Sequence, residues 1–209
     1  KKDHHDREAP RWWGGLKLPG HTALIRNPIP RTMTRKLIRG VLCALPFVSQ
    51  GSELIDLGFP GTIGTRAGIG FNRDARVSEF EFFVTTPALR SWRLRHNLSA
   101  SLHLEGGLGL LAHRGSGTFN ARIGPLVDFS FDDSPLHFVA SSSVAYLAGH
   151  RLGSLDLGSD LQFITSVGLD WELSDRWVLG YRWQHLSNAG ITRFNPGLNL
   201  NTISVGFRF

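Results

Sequence analysis

Residues 92–111 alternate almost throughout. Trp92, Leu94, Leu98, Ala100, Leu102 and Leu104 share one parity, and Arg93, Arg95, Asn97, Ser99, Ser101, His103 and Glu105 share the other. A helix would mix the two sets, whereas an extended strand sends successive side chains to opposite faces and separates them. The same period returns over 119–131, where Phe119, Ala121, Ile123, Val127, Phe129 and Phe131 oppose Asn120, Arg122, Asp128 and Ser130. It recurs over 136–147, 161–173, 177–187 and 199–209, and two weaker segments, 55–71 and 77–86, bring the total to eight strands. Alternating segments of about ten residues separated by turn residues are the signature of a membrane barrel. The chain is therefore expected to be all-β, an eight-stranded antiparallel transmembrane β-barrel.

The connections agree with that reading. Thr86-Pro87-Ala88, Asp132-Asp133-Ser134-Pro135 and Ser174-Asp175-Arg176 are short turns, and loops at 72–74, 113–118, 148–159 and 188–198 alternate with them. Short turns on the periplasmic side put both ends of the barrel sequence there. Trp92, Trp171 and Trp177 then fall near that end on the apolar parity, as an aromatic girdle does, and the terminal Phe209 joins them. A soluble barrel would turn its apolar residues inward. In a membrane barrel the polar parity, with its charges, faces the interior and is paired or hydrated there.

The net charge of +6 is misleading until it is divided along the chain. Residues 1–51 hold ten Lys or Arg against three acids, while residues 52–209 hold thirteen Arg against fourteen acids. The basic excess belongs to the leader and gives no reason to expect nucleic-acid binding. After the only methionine, Met33, come the cations Arg35, Lys36 and Arg39, a short apolar run at 41–48, and Ser49-Gln50-Gly51. This is the layout of a secretory signal peptide over 33–51, cleaved after Gly51. The apolar run is too short for the ~20 residues that a membrane helix needs. Residues 1–32, ahead of the start-like Met33, are expected to be a disordered or non-native upstream extension, leaving 52–209 as the barrel. The sole cysteine, Cys43, lies in the leader, so the barrel has neither a disulfide nor thiol chemistry.

Chemistry concentrates in the last hairpin. Trp177, Leu179, Tyr181 and Trp183 form the lipid-facing set of their strand, and His185 and Ser187 continue the same parity. The pair should face outward at the extracellular end, with Cα atoms ~6.6 Å apart. A base beside a hydroxyl is the minimal activated nucleophile, although H-x-S on a strand is common and an interfacial His or Ser needs no catalytic role. The surrounding residues sharpen the choice. His185-Leu186-Ser187-Asn188-Ala189-Gly190-Ile191, followed by Asn195-Pro196-Gly197, resembles the lipid A 3-O-deacylase (PagL-type) family over about twenty-five C-terminal residues.

That resemblance implies an eight-stranded outer-membrane barrel with its site on the outer surface, near the outer leaflet. It implies Ser187 as nucleophile and His185 as general base, with Asn195 and the backbone around Gly190 as candidates for binding the oxyanion. Asn188 either joins them or orders the loop. The family's catalytic Glu falls fourteen residues after the His, where this chain has Asn199, and no Asp or Glu follows Asp175. Asn199 can orient His185 through its amide oxygen, as Asn does in Cys-His-Asn hydrolases, without supplying a charge. A carboxylate from a neighbouring strand is the other way to complete the site. The expected activity is that of an outer-membrane esterase removing the 3-O-linked acyl chain of lipid A. The alternative is a structural or adhesive barrel that has kept the motif and lost the activity. An acyltransferase would need a ligand cavity inside the barrel.

Among the loop residues His113, Arg114, Arg151 and Arg193, the three arginines are candidates for the lipid A phosphates, which suit guanidinium forks; solvated loop charges are the alternative. The glycine-rich stretches at 58–70 and 106–109 lack the strand–loop–helix context of phosphate loops. No Cys or His cluster has metal-ligand spacing, so neither a metal nor a cofactor is expected. The expected partners are the membrane and lipid A or lipopolysaccharide in its outer leaflet; a homodimer is compatible with the sequence.

Overall fold

The computed structural model describes residues 61–72, 75–94 and 97–209. The expected extension at 1–32, the expected signal peptide at 33–51 and the start of the first expected strand fall outside the described residues. The strands are β1 (Thr62–Asn72), β2 (Ala75–Thr85), β3 (Arg90–Arg93), β4 (Leu98–His113), β5 (Ser116–Phe131), β6 (Leu136–Leu147), β7 (Arg151–Leu152), β8 (Leu155–Asp156), β9 (Leu161–Glu172), β10 (Trp177–Ser187) and β11 (Leu198–Arg208). The eight long ones, β1, β2, β4, β5, β6, β9, β10 and β11, pair antiparallel in that order, and β11 returns to β1. Among the described residues each of the eight long strands is paired on both sides, as a barrel in lipid requires.

The alternation sorts the two walls as expected. Outward residues such as Phe82, Leu108, Phe119, Ile123, Val144, Trp171, Trp177 and Ile203 are exposed, while the opposite parity is buried inside. Trp177 packs edge-on against Phe207, and Phe207 against Phe209, at centroid distances of 5.2 and 5.3 Å. These rings, with Trp171, sit at the lower end of the wall, marked by the β5–β6 and β9–β10 turns. The wall has the apolar outer face and aromatic lower rim that a barrel presents to lipid.

Three local expectations are corrected. Residues 92–111 are not one strand. The chain turns between Leu94 and Leu98, with Asn97 at a φ of 59°. Asparagine tolerates that left-handed conformation, and because parity carries through the turn, the alternation hides it. Thr86-Pro87-Ala88 is likewise no reversal. Residues 86–89 bulge beside the two residues Leu104 and His103, after which β3 continues along β4. Proline cannot donate to the ladder, so Thr86 supplies the local bonds: its N–H donates to the Leu104 carbonyl and its Oγ1 accepts from Leu104 N–H. Finally, 113–118 is not an open loop. Strands β4 and β5 run to a two-residue turn with positive φ at Arg114 and Gly115, 47° and 80°, the conformation that joins twisted strands tightly.

The interior has two layers. At mid-height, Arg66 of β1, Glu81 of β2, Glu105 of β4 and Arg122 of β5 form one buried cluster. Arg122 donates to both carboxylates, at 2.6–2.7 Å, and Arg66 to both, at 2.9 and 3.1 Å. Glycine makes room for it: a Cβ on Gly107 would stand 2.6 Å from the Glu81 carboxyl carbon. Above the cluster apolar residues enter the interior, an unexpected change, beside the buried Glu79, Asn120, Gln162 and Gln184. Leu111, Leu147, Ile164, Leu186, Leu198 and Leu200 point inward there, and the β7–β8 hairpin seats Leu152, Leu155 and Leu157 on them. The loop expected at 148–159 is thus a stopper that closes the upper mouth and buries apolar area.

Candidate active site

Strand pairing places His185 directly opposite Asn199 of β11 on one side and Thr165 of β9 on the other. All three are on the outer wall. The Asn199 carbonyl Oδ1 accepts a hydrogen bond from His185 Nδ1–H at 2.8 Å. An amide oxygen can only accept, so Nδ1 carries the proton and the neutral ring keeps its free lone pair on Nε2. Trp183, two residues down the same face, stacks on the imidazole at a centroid distance of 6.3 Å and an interplanar angle of 19°. Ser187, half-buried, ends β10 on the same face as His185. Among the described residues no carboxylate bonds or ion-pairs with His185, so a neighbouring strand does not supply the missing acid.

The β10–β11 loop above this pair is ordered around Asn188. Ala189 and Gly190 both take positive φ, 51° and 81°, and Ile191 N–H donates back to the Asn188 carbonyl at 3.0 Å, as in a type I′ turn. The Asn188 side chain is wholly buried. Its Nδ2 donates to Thr192 Oγ1 and to the Phe194 carbonyl, both at 2.8 Å, and its Oδ1 accepts from Gly190 N–H at 2.9 Å. Thr192 Oγ1 donates across to the Gly158 carbonyl at 3.0 Å, tying the loop to the segment after β8. Both ends of the Asn188 amide are therefore spent on the loop, and so is the Gly190 N–H. Asn195 is exposed, and its Oδ1 accepts from Asn188 N–H at 3.1 Å. That bond fixes the amide and leaves its Nδ2 donors for a ligand.

The basic residues do not converge. Arg193 is exposed in the same loop. Arg114 caps the β4–β5 turn, which strand order puts on the opposite side of the barrel from the β10–β11 hairpin. Arg151, in the β7–β8 hairpin, is paired with Asp156 at 3.2 Å. His113 is buried, with Nδ1 bonded to the Arg76 carbonyl at 2.7 Å. A cavity of about 690 Å³ does open in the lower interior, lined by Phe83, Glu105, Asp170, Arg182 and Arg208, but neither His185 nor Ser187 reaches it.

Two further residues belong to the surroundings of His185, Gly197 directly and Asn72 through it. Gly197 sits against the imidazole edge, and Asn72, at the end of β1, donates to the Gly197 carbonyl. Gly197 lay within the motif but had no assigned role. A contact from Asn72 across 125 residues leaves no trace in sequence.

Comparison with known proteins points the same way. The sequence profile of the family described as Lipid A 3-O-deacylase (PagL) matches residues 78–208. The chain is 33% identical over 86 residues to the lipid A deacylase PagL of Pseudomonas aeruginosa, a match covering 40% of this chain and 50% of that protein. It is 38% identical over 53 residues to the lipid A deacylase PagL of Bordetella bronchiseptica, covering 25% of this chain and 30% of that protein. The chain thus spans about half the length, or less, of these relatives. The crystal structure of the outer membrane enzyme PagL superposes with a TM-score of 0.60 at 19% identity, over 71% of this chain and 99% of that one.

Proposed function

Starting from the fact that the chain belongs to the lipid A 3-O-deacylase (PagL) family, we propose that it hydrolyses the 3-O-linked acyl ester of lipid A through an acyl-Ser187 intermediate. The observation that carries this is the His185–Asn199 bond on the outer wall, which presents Nε2 as a base on the face where Ser187 stands. His185 Nε2 takes the Ser187 hydroxyl proton as Oγ attacks the ester carbonyl. Asn195 Nδ2 donates to the oxygen that becomes negative. The tetrahedral intermediate collapses as His185 returns the proton to the departing sugar 3-oxygen. Water, deprotonated by the same imidazole, then releases the fatty acid and restores Ser187.

Asn199 holds the tautomer and the ring orientation. A carboxylate there would also stabilise the imidazolium by its charge; Asn199 cannot. That loss favours the second reading, a barrel that has kept the constellation and retired the activity. Mass spectrometry of lipid A from cells expressing the parent, Ser187→Ala and Asn199→Glu separates the two. The expected result is loss of one hydroxyacyl mass in the parent, abolished by Ser187→Ala. Unchanged lipid A in the parent, with loss only in Asn199→Glu, would establish a retired site that one carboxylate revives. No change in any version of a folded barrel would sink the hydrolase reading.

A further inference from the structure

We infer that Asn72 is a positioning residue for His185 and acts on it through the Gly197 peptide. The kinetic consequence rests on the hydrolase reading above; the geometry does not. The β10–β11 loop rejoins the wall at Gly197, which has a left-handed φ of 67°. Its backbone lies against the imidazole edge, where a Cβ would stand 3.1 Å from His185 Cε1 and 3.7 Å from Nε2. Gly197 therefore limits how far the ring can swing about its bond to Asn199. Having no side chain, it also leaves Nε2 open.

The strand ladder does not hold Gly197 in place, because β11 begins only at Leu198. Asn72 does: its Nδ2–H donates to the Gly197 carbonyl. It stands one step beyond the Phe71–Asn199 pair, so the strand pair that carries Asn199 also carries this strut. Three contacts frame the imidazole: Asn199 at Nδ1, Trp183 on one face and Gly197 at the Cε1 edge. The first two come from β10 and β11 themselves. Only the third depends on Asn72, and it requires a donor, since an aspartate would set an acceptor against a carbonyl.

Turnover of a medium-chain p-nitrophenyl ester in detergent micelles tests the inference, with heat-dependent gel mobility reporting that each barrel is folded. Asn72→Ala and Asn72→Asp should lower kcat about tenfold with KM nearly unchanged, the sign of a misplaced base. Gly197→Ala should lose at least as much, from strain at its φ and contact with Cε1. The double variant Asn72→Ala/Gly197→Ala should be no slower than Gly197→Ala alone. Multiplied losses, or a kcat unchanged by Asn72→Ala, would overturn the inference. A second measurement needs no activity: the NMR cross-peak between His185 Hε1 and Gly197 Hα. It should be present in the parent and lost in Asn72→Ala while the Trp183 contact persists. If the parent fails to hydrolyse the ester, lipid A mass spectrometry decides the hydrolase reading and this cross-peak alone decides the inference; its survival in Asn72→Ala would refute the positioning role.

Discussion

The inner wall at mid-height and the outer wall at the upper end solve the same problem differently. Inside, Glu81 and Glu105 are answered by the guanidinium groups of Arg66 and Arg122. Outside, His185 is answered by the neutral amide of Asn199. Both places are removed from bulk water, where an uncompensated charge is expensive. The interior is surrounded by strands, so β1, β2, β4 and β5 can each contribute one member of the paired cluster, with Glu79 of β2 buried beside it. On the outer wall β10 has only β9 and β11 beside it, with hydrocarbon in front. A carboxylate at position 199 would have just the imidazole for company, and no charge at all while that ring is neutral. Asparagine keeps the hydrogen bond without the charge. The difference suggests what the substitution trades: a less costly resting site for weaker stabilisation of the imidazolium.

The largest expected effect breaks the inner half of this comparison. Arg122→Met removes the guanidinium that bonds both carboxylates and leaves Arg66 alone with Glu81 and Glu105. Removing one partner of a buried ion cluster costs about 3–5 kcal/mol. The urea midpoint of the refolded barrel should fall accordingly, while ester turnover per folded molecule stays at the parent's level, since Arg122 lies on β5, far from β10 around the barrel. An unchanged midpoint would mean that charge balance does not hold the inner wall.

Asn199→Glu probes the outer half. Restoring the charge should raise kcat/KM about tenfold to a hundredfold. It should also lower barrel stability by up to about 1 kcal/mol, the scale for a charge near the membrane interface. Both shifts are required. A faster variant with no loss of stability would leave the catalytic role of the acid intact but remove the physical reason offered for its absence.

Much of this arrangement is legible in the alternation. Parity alone predicts the outward placement of His185, Ser187 and Asn199, and the inward placement of Glu105 and Arg122, because in a closed sheet every side chain has only two directions to take. Parity does not reveal a turn that preserves it, which is why the reversal between Leu94 and Leu98 is hidden, and the turn chemistry of Thr86-Pro87-Ala88 reads as a reversal where the chain only bulges and continues along β4. Nor does it say what the inside is made of at each height. Leu186, Leu198 and Leu200 interrupt the polar parity near one end of their strands, and that lapse is the readable trace of the apolar stopper. The loop around Asn188 was legible only as a motif. That both ends of its amide, and the Gly190 N–H, serve the loop follows from a fold-back that no spacing encodes. The three arginines illustrate the limit best: all lie in upper loops, but a linear sequence does not say which loops face one another.

The smallest expected effect uses that limit to sharpen the contrast between a neutral outer site and its charged surroundings. Arg193 is exposed in the loop that covers Ser187 and His185, whereas Arg114 caps a turn on the opposite wall and Arg151 already has Asp156. If the outer site borrows positive charge from its own loop to meet a phosphate, Arg193→Ala should lower kcat/KM on phosphorylated lipid A about threefold, a size typical of an exposed, salt-screened charge. Turnover of an uncharged ester should not change. Arg114→Ala should affect neither substrate. The Arg193 effect should also shrink as salt is raised, because the exposed guanidinium is screened. Equal losses on both substrates would assign Arg193 to loop structure and leave the outer wall with no charge in its recognition of substrate.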